Sequence, residues 1–272
     1  MTAKRRMVTI VQARMGSTRL PGKVLKPLAG STVLARMLER VLSARLVGVV
    51  AVATTTETED ERIVAACEDL GVLCFRGHPT DLLDRHLRAA EAFGADAVVK
   101  IPSDCPLIDP AVIDAVLREF MDSAGAYDYV SNLHPATYPD GNDVEVMGID
   151  ALETAWREAE RPFEREHTTP FLWENPERFR IGNVEWENGF DLSMSHRFTL
   201  DYQEDYELVS RVFDALYPGD PRFGVRDIIS FLIQYPEIYE LNARHRGVNW
   251  YWRHLNELRT VSALETRQPG AA

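Results

Sequence analysis

The chain of 272 residues has no apolar run approaching the ~20 residues needed to cross a bilayer. The stretch Met7-Val8-Thr9-Ile10-Val11 follows Lys4-Arg5-Arg6, but it is short for a signal peptide and Gln12 and Arg14 interrupt it. It reads as a first core strand. Cysteine is scarce. Cys67, Cys74 and Cys105 lack metal-ligand spacing, and an odd set without a secretion signal suits a reducing cytoplasm, the compartment expected here. Positive charge is the minority: 30 Lys and Arg against 42 Asp and Glu give a formal net charge of -12. That balance argues against nucleic acid or an anionic membrane as a bulk partner. Internal repeats and low-complexity linkers are also missing. So are the Walker A and G-x-G-x-x-G nucleotide motifs. No Asp-x-Asp triplet closes a predicted strand, which counts against a metal-dependent glycosyltransferase on a similar sheet.

Hydrophobic residues make up 45% of the chain, enough for a substantial core. In the first half, helix and strand patterns alternate. An apolar run at 47–54, shorter ones at 72–75 and 97–102, and amphipathic stretches at 33–42, 58–70, 81–93 and 110–121 predict strands joined by helices. Ser31 is expected to cap the first helix. Asp109 followed by Pro110 fits an N-cap with proline at the first helical position. The alternation predicts an α/β fold, a mostly parallel doubly wound sheet with helices on both faces. Ligands of such sheets sit outside the carboxyl ends of the strands. The second half changes character, with short strands expected at 127–132, 144–147, 179–184 and 197–201 and helices near 150–160, 167–173 and 203–216. A single domain is expected over 1–260, with a nucleotide-binding half to 126, a small α+β acceptor or dimerisation subregion after it, and a frayed tail at 261–272.

Directly after the first strand comes Gln12-Ala13-Arg14-Met15-Gly16-Ser17-Thr18-Arg19-Leu20-Pro21-Gly22-Lys23. Gly16 and Gly22 allow tight turning, so that backbone N–H groups can face an anion. Arg14, Arg19 and Lys23 add full charge, and Ser17 and Thr18 add hydroxyl donors. This local positive cluster stands against a negative chain, as a small anionic ligand requires.

The loop resembles the N-terminal signature of the cytidylyltransferases that make CMP-sugars, including the 3-deoxy-manno-octulosonate and acylneuraminate enzymes. It is most similar to the branch known as spore coat polysaccharide biosynthesis protein SpsF. The resemblance spans about residues 7–240. It implies a Rossmann-like nucleotidyltransferase fold and CTP bound over the loop with Mg2+. A sugar or sugar-like acid would be the acceptor and pyrophosphate would leave toward Lys23 and Arg14. Nucleotide contacts are then expected from Gln12, Ala13, Arg14, Met15, Gly16, Ser17, Arg19 and Lys23, with Thr54, Thr55, Arg85, Pro102 and Ser103 at the neighbouring strand ends. Asp104, in Ile101-Pro102-Ser103-Asp104-Cys105-Pro106-Leu107, is similar to the family's metal-binding acid, although Ser103 stands where the octulosonate enzymes carry glycine.

Asp201 is the second metal candidate. It also reads as the start of a capping box with Glu204. Arg85 lies either near the nucleotide or simply in an acidic helix start, and the threonines at 54–56 are either ligand contacts or ordinary loop residues. Tyr138, Asp143, Glu145 and His167 fall in two polar segments that resemble the branch. They are expected to bind the acceptor, or else to serve as turn and cap residues. Trp250 and Trp252, in Asn249-Trp250-Tyr251-Trp252, could stack on a sugar, but core or subunit packing is the expectation. A homodimer is expected. The open alternatives are an enzyme of the same architecture using another nucleoside triphosphate or a sugar 1-phosphate, and a non-catalytic nucleotide-binding protein.

Overall fold

The computed structural model describes residues 5–123 and 125–269. Its strands in chain order are β1 (Met7–Gln12), β2 (Pro27–Leu28), β3 (Ser31–Thr32), β4 (Val49–Thr55), β5 (Leu73–Gly77), β6 (Ala97–Pro102), β7 (Tyr129–Ser131), β8 (Glu145–Gly148) and β9 (Ile181–Asn183). The helices are α1 (Val33–Ser43), α2 (Glu61–Leu70), α3 (Leu82–Phe93), α4 (Pro110–Asp122), α5 (Ile149–Glu158), α6 (Pro162–His167), α7 (Pro170–Trp173), α8 (Gln203–Leu216), α9 (Val225–Gln234) and α10 (Pro236–Tyr239).

Seven strands form one sheet in the order β5-β4-β1-β6-β8-β7-β9. The first four are mutually parallel; β8 then runs antiparallel to both β6 and β7, and β7 is parallel to β9. The parallel strands are apolar on both faces because both faces are covered. Along β1, Met7 and Val11 pack with α1, α4, α8 and α9, whereas Val8 and Ile10 pack with α3, α5, α6 and α7. The predicted mostly parallel, doubly wound class is the one observed.

Local details differ in instructive ways. α4 begins as expected, with Asp109 Oδ1 accepting from Ala111 N at 2.8 Å. α1 is capped not by Ser31 but by Thr32, the last residue of the β2–β3 hairpin, whose hydroxyl accepts from Ala35 N. The predicted 58–70 helix opens with a 3-10 turn, Thr58–Asp60, before α2. The predicted 167–173 helix is two short helices, broken at Thr168, whose φ is 74°.

No strand forms at 197–201. This extended segment is held by backbone bonds to other loops instead, Phe198 N to Asp140 O at 2.7 Å and Leu200 N to Asp104 O at 2.7 Å. Gly141 permits the contact: its φ is 101°, and a Cβ there would lie 2.5 Å from Thr199 N. The described part of the expected frayed tail is tied down. Thr266 Oγ1 accepts from Asn249 N at 3.1 Å and Arg267 N donates to Gly247 O at 2.6 Å, while residues 270–272 lie outside the described residues. Among the described residues no helix is long and apolar enough to cross a membrane.

Candidate active site

β1 has β4 on one side and β6 on the other, so the loops leaving β1 and β6 part at the switch point of the parallel sheet. A cleft of about 490 Å³ opens there. Gln12, Ala13, Arg14, Ser17, Arg19 and Lys23 line one side, Pro102, Ser103 and Asp104 the floor, and Asp143, Glu145 and His167 the other side. Residues expected at the nucleotide and at the acceptor therefore share one space.

The loop after β1 curls around Met15. Ser17 N and Gly22 N both donate to Met15 O, at 2.8 and 3.1 Å, and Gly22 takes the left-handed φ of 66° that closes the turn. Met15 itself is a buried anchor: its side chain enters the core and its N–H donates to Asp60 Oδ1 at 2.7 Å. Asp60 also accepts from Thr55, through both its N–H and its hydroxyl. Thr54 and Thr55 are buried behind the loop and, like Met15 and Gly16, are not part of the cleft lining. Met15 and Thr55, through their bonds to Asp60, brace the loop that carries Arg14 and Arg19. Arg85 does line the cleft, yet its guanidinium donates to His78 O and Pro79 O, at 2.9 and 3.1 Å, and shapes the turn before α3.

Lys23 is not the mobile charge that its glycine-flanked setting implies. It is only 8% exposed. Its Nζ donates to Leu200 O at 2.7 Å, Asp201 Oδ1 at 2.9 Å and Asp104 Oδ2 at 3.2 Å. Burial alone would lower the ammonium's pKa, but the Asp104 and Asp201 carboxylates outweigh it and hold Lys23 above the ordinary lysine value. Lys23 is charged, fixed and aimed at the centre of the cleft.

Asp201 is surrounded by cations. Besides Lys23, Arg19 reaches its Oδ1 at 2.7 Å and Arg197 its Oδ2 at 3.3 Å. Burial pushes its carboxyl up, yet Lys23, Arg19 and Arg197 pull it further down, below the usual aspartate range. Nor does Asp201 cap α8. That role belongs to Asp205, whose Oδ2 accepts from the N–H groups of Asp201 and Tyr202, each at 2.9 Å. Asp205 also holds Arg197, which in turn pairs with Asp140 at 3.0 Å.

Among the described residues no three His, Cys, Asp or Glu side chains form a metal cage. Two carboxylates nonetheless reach a single cation, since the Lys23 ammonium touches both Asp104 and Asp201. That donor set fits magnesium, which takes one or two protein carboxylates and completes its octahedron with phosphate and water oxygens. Asp104 is the freer of the two. Its Oδ1 meets only the Cys105 thiol, at 3.7 Å, whereas both oxygens of Asp201 are already engaged.

Across the cleft, Lys100 and Glu145 form a buried ion pair, and Tyr129 donates its hydroxyl to Glu145 at 2.8 Å. Burial would raise the Glu145 carboxyl, but Lys100 overrides it and holds it low. Asp143 has no cationic partner within ion-pair distance among the described residues and accepts only from Gly141 N, at 3.2 Å. Burial, then repulsion from Asp104, pushes its pKa up to about 6. His167 stacks on Trp250 with centroids 3.8 Å apart, and burial followed by the Lys100 charge lowers its pKa to about 3, so it is neutral near pH 7. Tyr138 is not in this cleft. It packs on Trp186 and lines a neighbouring cavity of about 160 Å³ that shares Asp140 and Asp143 with the main one.

Sequence reading missed Lys100, Arg197, Trp250 and Trp252 as cleft residues. Lys100 had a visible signal, a lysine inside the otherwise apolar run Ala97–Pro102. Arg197 had none until its three acidic partners met in space.

Comparison with known proteins shows the family. Residues 8–225 match the protein family described as Cytidylyltransferase. The spore coat polysaccharide biosynthesis protein SpsF of Bacillus subtilis is 30% identical over 234 residues, which is 84% of this chain and 94% of that protein. A 3-deoxy-manno-octulosonate cytidylyltransferase of Trichlorobacter lovleyi is 36% identical over 122 residues, 44% of this chain and 46% of the relative. A solved cytidylyltransferase structure from Leptospira borgpetersenii serovar Hardjo-bovis superposes with a TM-score of 0.82 at 33% identity, covering 87% of this chain and 98% of that one.

Proposed function

Because this chain belongs to the cytidylyltransferase family and is a nucleotidyltransferase, we propose that it transfers CMP from CTP to a sugar or sugar-like acid in surface glycan or secondary-metabolite biosynthesis. One observation carries the reading. The basic loop after β1, the Lys23–Asp104–Asp201 cluster and the Asp143–Glu145–His167 wall face one another across a single cleft. Donor phosphates and acceptor then meet over one fixed cation.

The triphosphate lies along Arg14, Ser17, Thr18 and Arg19, where N–H, hydroxyl and guanidinium donors are gathered. An acceptor hydroxyl, held from the Asp143 side, attacks the α-phosphorus through its oxygen and releases its proton to solvent. A new P–O bond forms as the bond to the β-phosphate oxygen breaks, and pyrophosphate leaves with the electron pair. Lys23 and Arg14 offset the charge that develops on it, and the immobility of Lys23 means that little reorganisation is needed at that moment. Magnesium held by Asp104, with Asp201 beside it, would neutralise phosphate charge. Holding the acceptor is left to Asp143, Glu145 and the wall around His167. We also propose a cytoplasmic homodimer. The relative from Bacillus subtilis, a spore coat polysaccharide biosynthesis protein, supports a polysaccharide pathway.

The test is a pyrophosphate-release screen of the four nucleoside triphosphates against acidic sugars, sugar phosphates and phosphonates, with and without magnesium. Release with CTP and one acceptor class, dependent on magnesium, is expected. A clear preference for ATP, GTP or UTP would overturn the cytidylyl assignment.

A further inference from the structure

The family match ends at residue 225, but the cleft does not. Its acceptor side is closed by Asn249, Trp250, Tyr251, Trp252 and Arg253, a segment that lies beyond the matched region. This segment is fastened at its N-terminal margin. Gly247 O accepts from Arg267 N at 2.6 Å, and Thr266 bonds both the N–H and the carbonyl of Asn249, at 3.1 and 3.2 Å. Asn249 Oδ1 then caps the 3-10 turn of 250–253 by accepting from Tyr251 N.

The three aromatic residues of the turn have different neighbours. Trp250 is stacked on His167, and Tyr251 is buried with its ring 6.1 Å from that of Trp173. Trp252 stacks on no other aromatic ring among the described residues. Its neighbour is the guanidinium of Arg253, 5.2 Å from the ring centroid, and the indole lines the cleft. An unstacked indole in the lining of a polar cleft that also holds the half-buried Asp143 and the buried Glu145 suits both surfaces that a polyhydroxylated ring presents: C–H faces for an aromatic plane and hydroxyls for carboxylates. We propose that Trp252 is the stacking platform for the acceptor ring, and that the 249–253 segment is the wall through which this chain selects its acceptor. The inference rests on the proposed nucleotidyl transfer and adds to it the residue that reads the acceptor and the ring form of that acceptor.

The experiment compares wild type, Trp252→Ala and Trp252→Phe. CTP affinity with magnesium is measured by calorimetry. Pyrophosphate release is measured with four ring probes: 3-deoxy-manno-octulosonate, N-acetylneuraminate, glucuronate and glucose 1-phosphate. For the probe that wild type turns over, Trp252→Ala should raise the acceptor KM about tenfold, within the range of a lost aromatic contact. It should change kcat and CTP affinity by less than about twofold, and Trp252→Phe should recover most of the loss. A loss of folded structure in Trp252→Ala, checked by circular dichroism, transfers the comparison to Trp252→Phe against Trp252→Leu, which differ in the aromatic plane. An unchanged acceptor KM, or CTP affinity falling in parallel, overturns the assignment. So does CTP binding with no ring probe accepted. Failure to bind CTP at all would instead sink the proposed function.

Discussion

Lys23 donates to Asp201 across 2.9 Å, although 178 positions separate them in the chain. The contact fastens the first loop of the parallel half to an extended segment of the second half. The central cation of the cleft is thereby set by the folding of the whole chain, and its ammonium does not need to search for its place when a nucleotide arrives.

Lys23→Ala should lower turnover by about 10²-fold or more, as loss of a preorganised charge-stabilising donor does. The burial of Lys23 adds a second effect. Asp104 and Leu200 O lose a partner, while Asp201 keeps Arg19 and Arg197. Thermal denaturation should show a stability loss of about 1–3 kcal/mol. Full activity would remove Lys23 from the phosphate chemistry.

Asp104→Asn should move the magnesium requirement. Its open oxygen makes it the carboxylate better placed to bind a metal, so the magnesium concentration giving half-maximal pyrophosphate release should rise about tenfold or more. Asp201→Asn should show a smaller rise, because three cations already share its carboxylate. Equal rises would mean that Asp201 gives up those partners to the metal.

Asp143→Asn should stabilise the ligand-free protein at neutral pH. The folded carboxyl titrates at about 6 against an ordinary 3.8, so the folded state holds the extra proton between those values and stability falls as pH rises through them. The asparagine variant lacks this loss. Its melting temperature should exceed that of wild type at about pH 8, with the gap closing below about pH 4. Acceptor KM should rise in the same variant while CTP affinity holds. A wild-type melting curve with no such gap would show that Asp143 is well solvated.

Asp205→Ala should cost more stability than any of these. The side chain is fully buried, holds Arg197 through two oxygens, accepts from Asn242 and caps the start of α8. Removing it leaves Arg197 with less compensation, a loss of about 3 kcal/mol in chemical denaturation. Turnover should fall with it, since Arg197 and Asp201 move together. An unchanged denaturation midpoint would contradict this picture.

The parts legible in the sequence were those fixed by local pattern. Apolar runs, helix periodicity and the Asp109-Pro110 cap are decided by a residue and its near neighbours, and they placed Gln12, Arg14 and Asp104 at one sheet edge. What was not legible depends on contacts from afar. Asp201 reads as the end of a strand because Phe198 and Leu200 alternate with polar residues. Its segment instead pairs with loops at Asp140 and Asp104, which no local pattern shows. Thr54 and Thr55 do stand at a strand end, as expected, but Asp60 folds under the loop and claims the Thr55 hydroxyl. Tyr138 was displaced by a partner, Trp186, that lies far along the chain.

Lys100 and Glu145 face each other directly in the antiparallel register of β6 and β8. A slip of one residue would turn one of them to the opposite face of the sheet and leave a buried charge without its counter-charge. The pair therefore favours this register over those shifted by one residue. Strand β8 is only four residues long, paired with β6 on one side and β7 on the other, and a shifted alignment would carry that electrostatic cost. An ion pair in the cleft lining thus doubles as the alignment mark that joins the antiparallel half of the sheet to the parallel half.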